Sequence, residues 1–126
     1  PEGIKGARVI ASCIYALRNG SSKQDILRYA RAEYGNIPVY RPMSNRFDET
    51  CMNAVPVSIG CFIDSTDFED AIRKAILVGG DSDTIGAIVG SLAEAHYGVP
   101  TCLKDAAMSY LPYEIKSVIN QFYSKL

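Results

Sequence analysis

Residues 79–93 are GGDSDTIGAIVGSLA, and the predicted fold is organised around this stretch. Two glycines precede two carboxylates and a hydroxyl, at Asp81, Asp83 and Thr84, and an apolar segment follows them. Such oxygen ligands suit a hard divalent cation such as Mg²⁺, Mn²⁺ or Ca²⁺. The same residues also suit an ordinary helix start, with one Asp as N-cap and the other near the positive end of the helix dipole. The pattern alone leaves both interpretations open.

Geometry limits how the two carboxylates can share a ligand. Residues two apart in a helix point to nearly opposite faces, so Asp81 and Asp83 converge only if the loop is non-helical there. Gly79 and Gly80 can adopt the positive φ values that such a loop needs.

Two known carboxylate motifs do not fit these residues. An EF-hand loop beginning at Asp81 requires a bidentate Glu at its twelfth position, where this chain has Leu92. A phosphotransfer motif of the Asp-x-Asp-x-Thr kind requires Thr at position 85, which is Ile85 here.

The other apolar segments also follow a helical period, which predicts an all-α structure of about six helices with no sheet. Ser22 with Asp25 can cap the second helix, and Thr66–Glu69 has the pattern of a capping box. Residues 36–47 form a polar-leaning loop, which is either functional or a plain surface connection. The first helix has apolar residues at helical spacing: Ile4, Ala7, Ala11, Ile14 and Leu17. The last helix has an apolar face that is predicted to point inward: Ile115, Val118, Ile119 and Phe122.

Composition excludes several classes of protein. A net charge of −1 lacks the excess of basic residues that binds nucleic acid, so nucleic acid is not expected as a primary ligand. No apolar run is long enough to span a membrane. The four cysteines lack a Cys-x-x-Cys pair, and are expected to be buried apolar residues in a reducing, cytoplasmic environment: Cys13, Cys51, Cys61 and Cys102.

Three blocks of the sequence resemble the ADP-ribosylglycohydrolase family, which includes the dinitrogenase-reductase-activating glycohydrolases. They are PEGIKGA at residues 1–7, NAVPVSI at 53–59 with Phe62 and FEDAI at 68–72 after it, and GGDSDTIGAIVGSLA at 79–93 with Tyr97 and Gly98 after it. Their order and spacing make the resemblance more specific than any single block.

The resemblance implies an all-α orthogonal helical bundle and a site for a pair of divalent cations. Asp81, Asp83 and Thr84 correspond to family positions that coordinate these cations, commonly Mg²⁺ or Mn²⁺. The family hydrolyses the bond between C1″ of ADP-ribose and an acceptor, often a protein side chain, so an ADP-ribosylated substrate is the expected partner.

The chain departs from the family pattern in one respect. The family completes its metal site with a Ser/Thr-Asp-Asp motif and takes its acid/base carboxylate from an N-terminal region, but this sequence has no Asp-Asp pair. We therefore expect residues 1–126 to be the C-terminal part of one domain, with the catalytic residues in an N-terminal part that associates with it. That partner would dock on an apolar surface around Gly86 and Gly90, and the fragment alone would be inactive.

Three functional interpretations follow. The first is a metal-dependent glycohydrolase, the second is a non-enzymatic, crystallin-like member of the same fold, and the third is an unrelated helical interaction domain whose Asp loop is only a cap. His96, the only histidine, is too far along its helix to share a metal with the loop and has a structural or surface role. Ser58 and Ser91 are packing residues, and Tyr40 is either half-buried or free to stack on a nucleotide.

Overall fold

The computed structural model describes residues 1–45 and 50–126, except for the side chain of Cys51. These ranges contain seven helices and no strand, so the all-α prediction is confirmed with one helix more than expected. The helices are α1 (Glu2–Arg18), α2 (Lys23–Tyr34), α3 (Cys51–Asp64), α4 (Phe68–Leu77), α5 (Ser82–Tyr97), α6 (Thr101–Ser109) and α7 (Tyr113–Tyr123).

Helices α3 and α5 form the centre of the structure. Helix α5 packs against α1, α3 and α4, while α3 also contacts α1, α2 and α4. The small residues of α5 allow this close packing: a Cβ added at Gly90 would lie 3.4 Å from the Cδ1 atom of Ile72. The largest side chains sealed between the helices are Phe62, Ile26, Ile59, Ile85 and Leu92. The start of α5, which carries the predicted ligands, is therefore attached to the best-packed helix of the fold.

The buried face of α1 differs from the stripe found in the sequence. The residues that pack into the core are Gly6, Val9, Cys13 and Leu17. Ile4 is 77% exposed, and Ala7 and Ala11 are also exposed. Both stripes have helical spacing and both contain Leu17, so the spacing alone does not decide which of them is buried.

The helix starts follow local sequence signals closely. Ser22 caps α2 in a full capping box, since its side chain accepts from the Asp25 N–H and the Asp25 side chain accepts from the Ser22 N–H. The predicted cap of α4 is wrong by one residue, because Asp67, and not Thr66, is the N-cap. The Asp67 side chain accepts from the Asp70 N–H at 2.7 Å, while the Asp70 carboxylate accepts from the N–H of Thr66, the residue before the cap, at 2.9 Å, so the capping box is not closed on Asp67.

Helices α6 and α7 are attached loosely to the other five. Neither has a buried residue, and the predicted inward face of α7 is wrong: Ile115, Val118 and Phe122 are 47%, 66% and 56% exposed. The apolar residues of α7 recur at the spacing of a helix that packs against another element, but no described residue covers them. One polar contact ties α7 to α5, where the Tyr123 hydroxyl donates to Glu94 Oε1 at 3.3 Å.

Among the helices that the structure describes, none combines the length and apolar character needed to cross a membrane.

Candidate metal site

The predicted ligands lie where the chain turns from α4 into α5. Two consecutive glycines make this turn with positive φ, +89° at Gly79 and +81° at Gly80. Positive φ strains any residue with a Cβ, so the turn depends on glycine at both positions. The Ser82 N–H closes the turn by donating to the Gly80 carbonyl oxygen at 2.9 Å. The positive φ values expected of Gly79 and Gly80 are found, but the loop is non-helical only as far as Asp81, because α5 begins at Ser82.

Asp81 is the N-cap of α5. Its backbone is non-helical, with φ −76° and ψ 81°, and its Oδ1 accepts a hydrogen bond from the Thr84 N–H at 3.3 Å. Asp83 lies in the first turn with an exposed side chain, and Thr84 follows it partly buried. The three residues therefore share the first turn of one helix, with Asp81 outside the helical conformation and Asp83 inside it.

The donor set of this turn suits a hard divalent cation. Two carboxylates and a hydroxyl supply only oxygen atoms, and no described residue hydrogen-bonds the Asp83 carboxylate or Asp81 Oδ2. The positive end of the α5 dipole lies at this turn and interacts favourably with negatively charged side chains. No group of three or more His, Cys, Asp or Glu side chains that could hold a metal occurs in the described ranges. The described residues therefore provide at most a partial set of metal ligands at this turn.

A second segment of the chain forms hydrogen bonds with the end of α4 and with the turn. Residues 41–45, here called the strap, run beside the end of α4. The N–H of Met43 donates to the Leu77 carbonyl oxygen at 2.7 Å, and the N–H of Asn45 donates to that of Val78 at 2.9 Å. The Asn45 side-chain amide donates to the next carbonyl, Gly79, at 3.2 Å.

Asn53 of α3 completes this contact. Its Nδ2 donates to Asn45 Oδ1 at 3.0 Å, which connects the strap to the central helix. Sequence analysis did not identify Asn45 or Asn53 as residues of the site. The two lie eight residues apart on different elements, and Asn45 and Gly79 are separated by 34 residues, so no local pattern could have revealed the contact.

His96 lies at the opposite end of α5, as predicted. Thirteen residues at the helical rise place it about 20 Å from Asp83 along the axis. Its ring meets Phe62 edge-on, with centroids 5.7 Å apart. Burial and the nearby positive charge of Lys23 lower the pKa of His96 from its usual 6.5. The group is structural, and it is too distant to contact a metal at Asp83.

The cysteines differ in environment. Cys13 and Cys61 are buried free thiols, as predicted, and burial raises their pKa to about 11 and about 12. Both therefore remain protonated at neutral pH and are not reactive thiolates. Cys102 is exposed, so the prediction that it is buried is wrong: it lies on α6, which has no buried residue. The prediction for the Cys51 side chain falls outside the described residues.

Three further candidates have structural roles. Ser58 is fully buried and donates to the Ala54 carbonyl oxygen at 2.6 Å, while Ser91 donates to that of Ile88 at 2.8 Å. Both are packing residues, as predicted. Tyr40 packs partly buried against the core, with Lys74 Nζ 5.4 Å from its ring centroid.

A known protein family matches nearly the whole chain. The sequence model of the family described as ADP-ribosylglycohydrolase matches residues 1–125. The chain belongs to the ADP-ribosylglycohydrolase family. Comparisons with curated proteins and with solved structures give no match.

Membership of the ADP-ribosylglycohydrolase family changes how the turn is interpreted. The match includes the Asp81–Thr84 turn, α5 and the last two helices, α6 and α7. The suggestion of an unrelated helical interaction domain is wrong, since the match spans nearly the whole chain. The family points to a hydrolase of the glycohydrolase type. The cap made by Asp81 and a ligand role for the same residue are compatible, because the cap uses only Oδ1.

Proposed function

We propose that this protein is a metal-dependent hydrolase that cleaves the glycosidic bond between ADP-ribose and an acceptor, in an ADP-ribosylated protein or small molecule. The family match over residues 1–125, with Asp81, Asp83 and Thr84 together in the first turn of α5, carries the proposal. The ions would be a pair of Mg²⁺ or Mn²⁺, in keeping with the oxygen-only donor set. The free thiols of Cys13, Cys61 and Cys102 agree with a reducing, cytoplasmic location.

Each residue of the turn has a distinct task in this proposal. Asp83 offers an exposed carboxylate, and Asp81 offers the oxygen that the helix cap does not use. Thr84 adds a neutral hydroxyl oxygen without further negative charge. A bound pair of ions supplies Lewis acidity, orients the ribose hydroxyls and generates the attacking water's nucleophilicity. The glycine turn and α5 hold the ligands on a rigid, buried helix, which limits the motion that would weaken binding.

The turn supplies too few ligands for two ions. Each Mg²⁺ requires near-octahedral coordination, and two carboxylates with one hydroxyl leave most positions to waters, substrate or other protein groups. We propose that the remaining protein ligands and the acid/base carboxylate come from an N-terminal part of the same protein. Gly86 supports a docking surface beside Asp83, since a Cβ built there meets no atom within 4 Å. Gly90 is less open than Gly86, since a Cβ added there would lie 3.4 Å from the Cδ1 atom of Ile72 of α4.

The proposal predicts that Asp83→Asn and Asp81→Asn weaken metal binding and hydrolysis. Each change keeps the shape of the side chain but removes a negative charge facing a dication. The measurement is calorimetric titration of the whole protein with Mg²⁺ or Mn²⁺, with release of ADP-ribose from an ADP-ribosylated protein followed in parallel. Ser82→Ala is the matched control, because Ser82 lies between the two aspartates and is not a proposed ligand.

The results separate the remaining interpretations. Loss of metal binding and turnover in both aspartate variants, with Ser82→Ala unchanged, supports the hydrolase. Metal binding that depends on both aspartates, in a protein that releases no ADP-ribose, supports the non-enzymatic, crystallin-like alternative. If both variants bind metal and turn over like the parent, the turn is a helix cap alone and the proposal is wrong.

A further inference from the structure

We propose that Asn45 is a positioning residue of the metal site, and that it acts by holding the glycine turn in the conformation that presents Asp81 and Asp83. Asn53 supports it from α3. The inference rests on the proposed metal-binding function and adds two residues that touch neither the ions nor the substrate.

The strap donates hydrogen bonds to successive carbonyl groups at the end of α4. The last carbonyl groups of a helix have no partner within the helix and need donors from elsewhere. Here three successive carbonyls, those of Leu77, Val78 and Gly79, each receive a donor from Met43 or Asn45. Asn45 provides two of the three donors, one from its backbone and one from its side chain. It is therefore the residue through which the strap fixes where α4 ends.

The side-chain hydrogen bond of Asn45 reaches the turn itself. The Gly79 carbonyl belongs to the peptide that joins the two glycines with positive φ, and Asp81 follows directly. The strap backbone is also close, since a Cβ on Gly79 would lie 2.9 Å from the Asn45 carbonyl oxygen. Glycines have the largest conformational freedom in an unrestrained chain. Without the Asn45 amide, the turn has more conformations available, and the position of Asp81 relative to Asp83 is less defined.

Asn53 determines how the Asn45 amide is presented. The Asn53 Nδ2 donates to Asn45 Oδ1 at 3.0 Å, which directs the Asn45 Nδ2 toward the Gly79 carbonyl. Asn53 lies near the start of α3, a helix packed in the centre of the fold. The turn is thereby connected to a rigid element by two side chains. Groups that orient metal ligands in this indirect way typically change metal affinity by about 10–100-fold when removed.

The experiment compares Mn²⁺ binding by the whole protein and its variants, using calorimetry and the electron paramagnetic resonance signal of bound Mn²⁺. Asn45→Ala should raise the dissociation constant by about 10-fold or more and broaden the signal of bound Mn²⁺. Asn53→Ala should also raise the dissociation constant and broaden the Mn²⁺ signal, by a smaller factor. Hydrogen exchange without metal should show faster exchange of the Ser82 and Thr84 amides in Asn45→Ala.

Two controls separate positioning from general stability. Asn36→Ala makes the same change in an exposed residue of the same loop, and should leave Mn²⁺ affinity unchanged. Ser22→Ala removes the α2 cap, so it lowers the melting temperature without touching the turn, and should also leave affinity unchanged. If Asn45→Ala binds Mn²⁺ like the parent, or if Ser22→Ala weakens binding as much, the inference is wrong.

Measuring Mn²⁺ binding by Asp83→Asn distinguishes a failure of the positioning role of Asn45 from a failure of the proposed function. If Asp83→Asn abolishes Mn²⁺ binding while Asn45→Ala leaves it intact, only the positioning role is overturned. If Asp83→Asn binds Mn²⁺ as well as the parent, or the parent binds none, the proposed metal site is wrong and the role of Asn45 falls with it.

Discussion

Gly60→Ala should destabilise the fold, because the loop after α2 crosses α3 in direct contact with this glycine. A Cβ at position 60 would overlap the carbonyl oxygen of Pro38 and lie 3.3 Å from its carbon. The obstacle is backbone, which cannot rotate away as a flexible side chain can. Ile37 next to it is buried in the core, so the loop cannot lift without exposing that side chain.

The expected loss follows from this overlap. Overpacking that forces backbone shifts in a packed interior costs about 1–3 kcal/mol of unfolding free energy. At about 4 °C for each kcal/mol in a domain of this length, the melting temperature should fall by about 4–12 °C. Urea denaturation followed by far-UV circular dichroism measures the free energy, and a thermal scan measures the melting temperature.

Gly86→Ala is the matched control and should have the opposite effect. Gly86 lies inside α5, and its Cβ would meet no atom within 4 Å. Replacing an unhindered helical glycine by alanine stabilises by about 0.4–1 kcal/mol, mainly by restricting the unfolded chain. If Gly60→Ala is as stable as the parent while Gly86→Ala behaves as expected, then the Pro38 carbonyl is not seated on Gly60 and the crossing described here is wrong.

Two further predictions concern titratable groups. The pKa of His96 is lower in the folded chain than its usual 6.5, chiefly through burial, so the unfolded chain binds more protons just below that pH. Stability should therefore decline as pH falls through 6.5, and His96→Gln should flatten that decline in urea titrations at several pH values; an equally steep decline in the variant would contradict the assignment. Cys102 should react with a thiol reagent in the native protein, whereas Cys13 and Cys61, buried with pKa values of about 11 and 12, should react only on unfolding. Mass mapping of native protein after brief labelling identifies the modified cysteines, and rapid modification of Cys61 would contradict the packing of α3.

The helical content and the position of the candidate ligands were predictable from sequence because their signals are local. A capping box needs only residues three apart, as at Ser22 and Asp25, and the structure confirms it. The glycine pair before Asp81 can adopt positive φ, and the structure shows positive φ at both residues. The resemblance of separated sequence blocks to a known family is confirmed by the match over residues 1–125. Metal binding by Asp81, Asp83 and Thr84 stays a prediction.

The sequence by itself determined where most helices begin and end, because caps, glycines and hydrophobic period act within a few residues. Tertiary structure decided which of two apolar stripes of α1 is buried, since both stripes have helical spacing and only the packing of α1 against the other helices distinguishes them. It also decided that the strap closes on the glycine turn, through hydrogen bonds between Asn45 and a loop 34 residues away. Contacts at such separations depend on how all the helices pack together, and no periodicity or short motif in the chain records them.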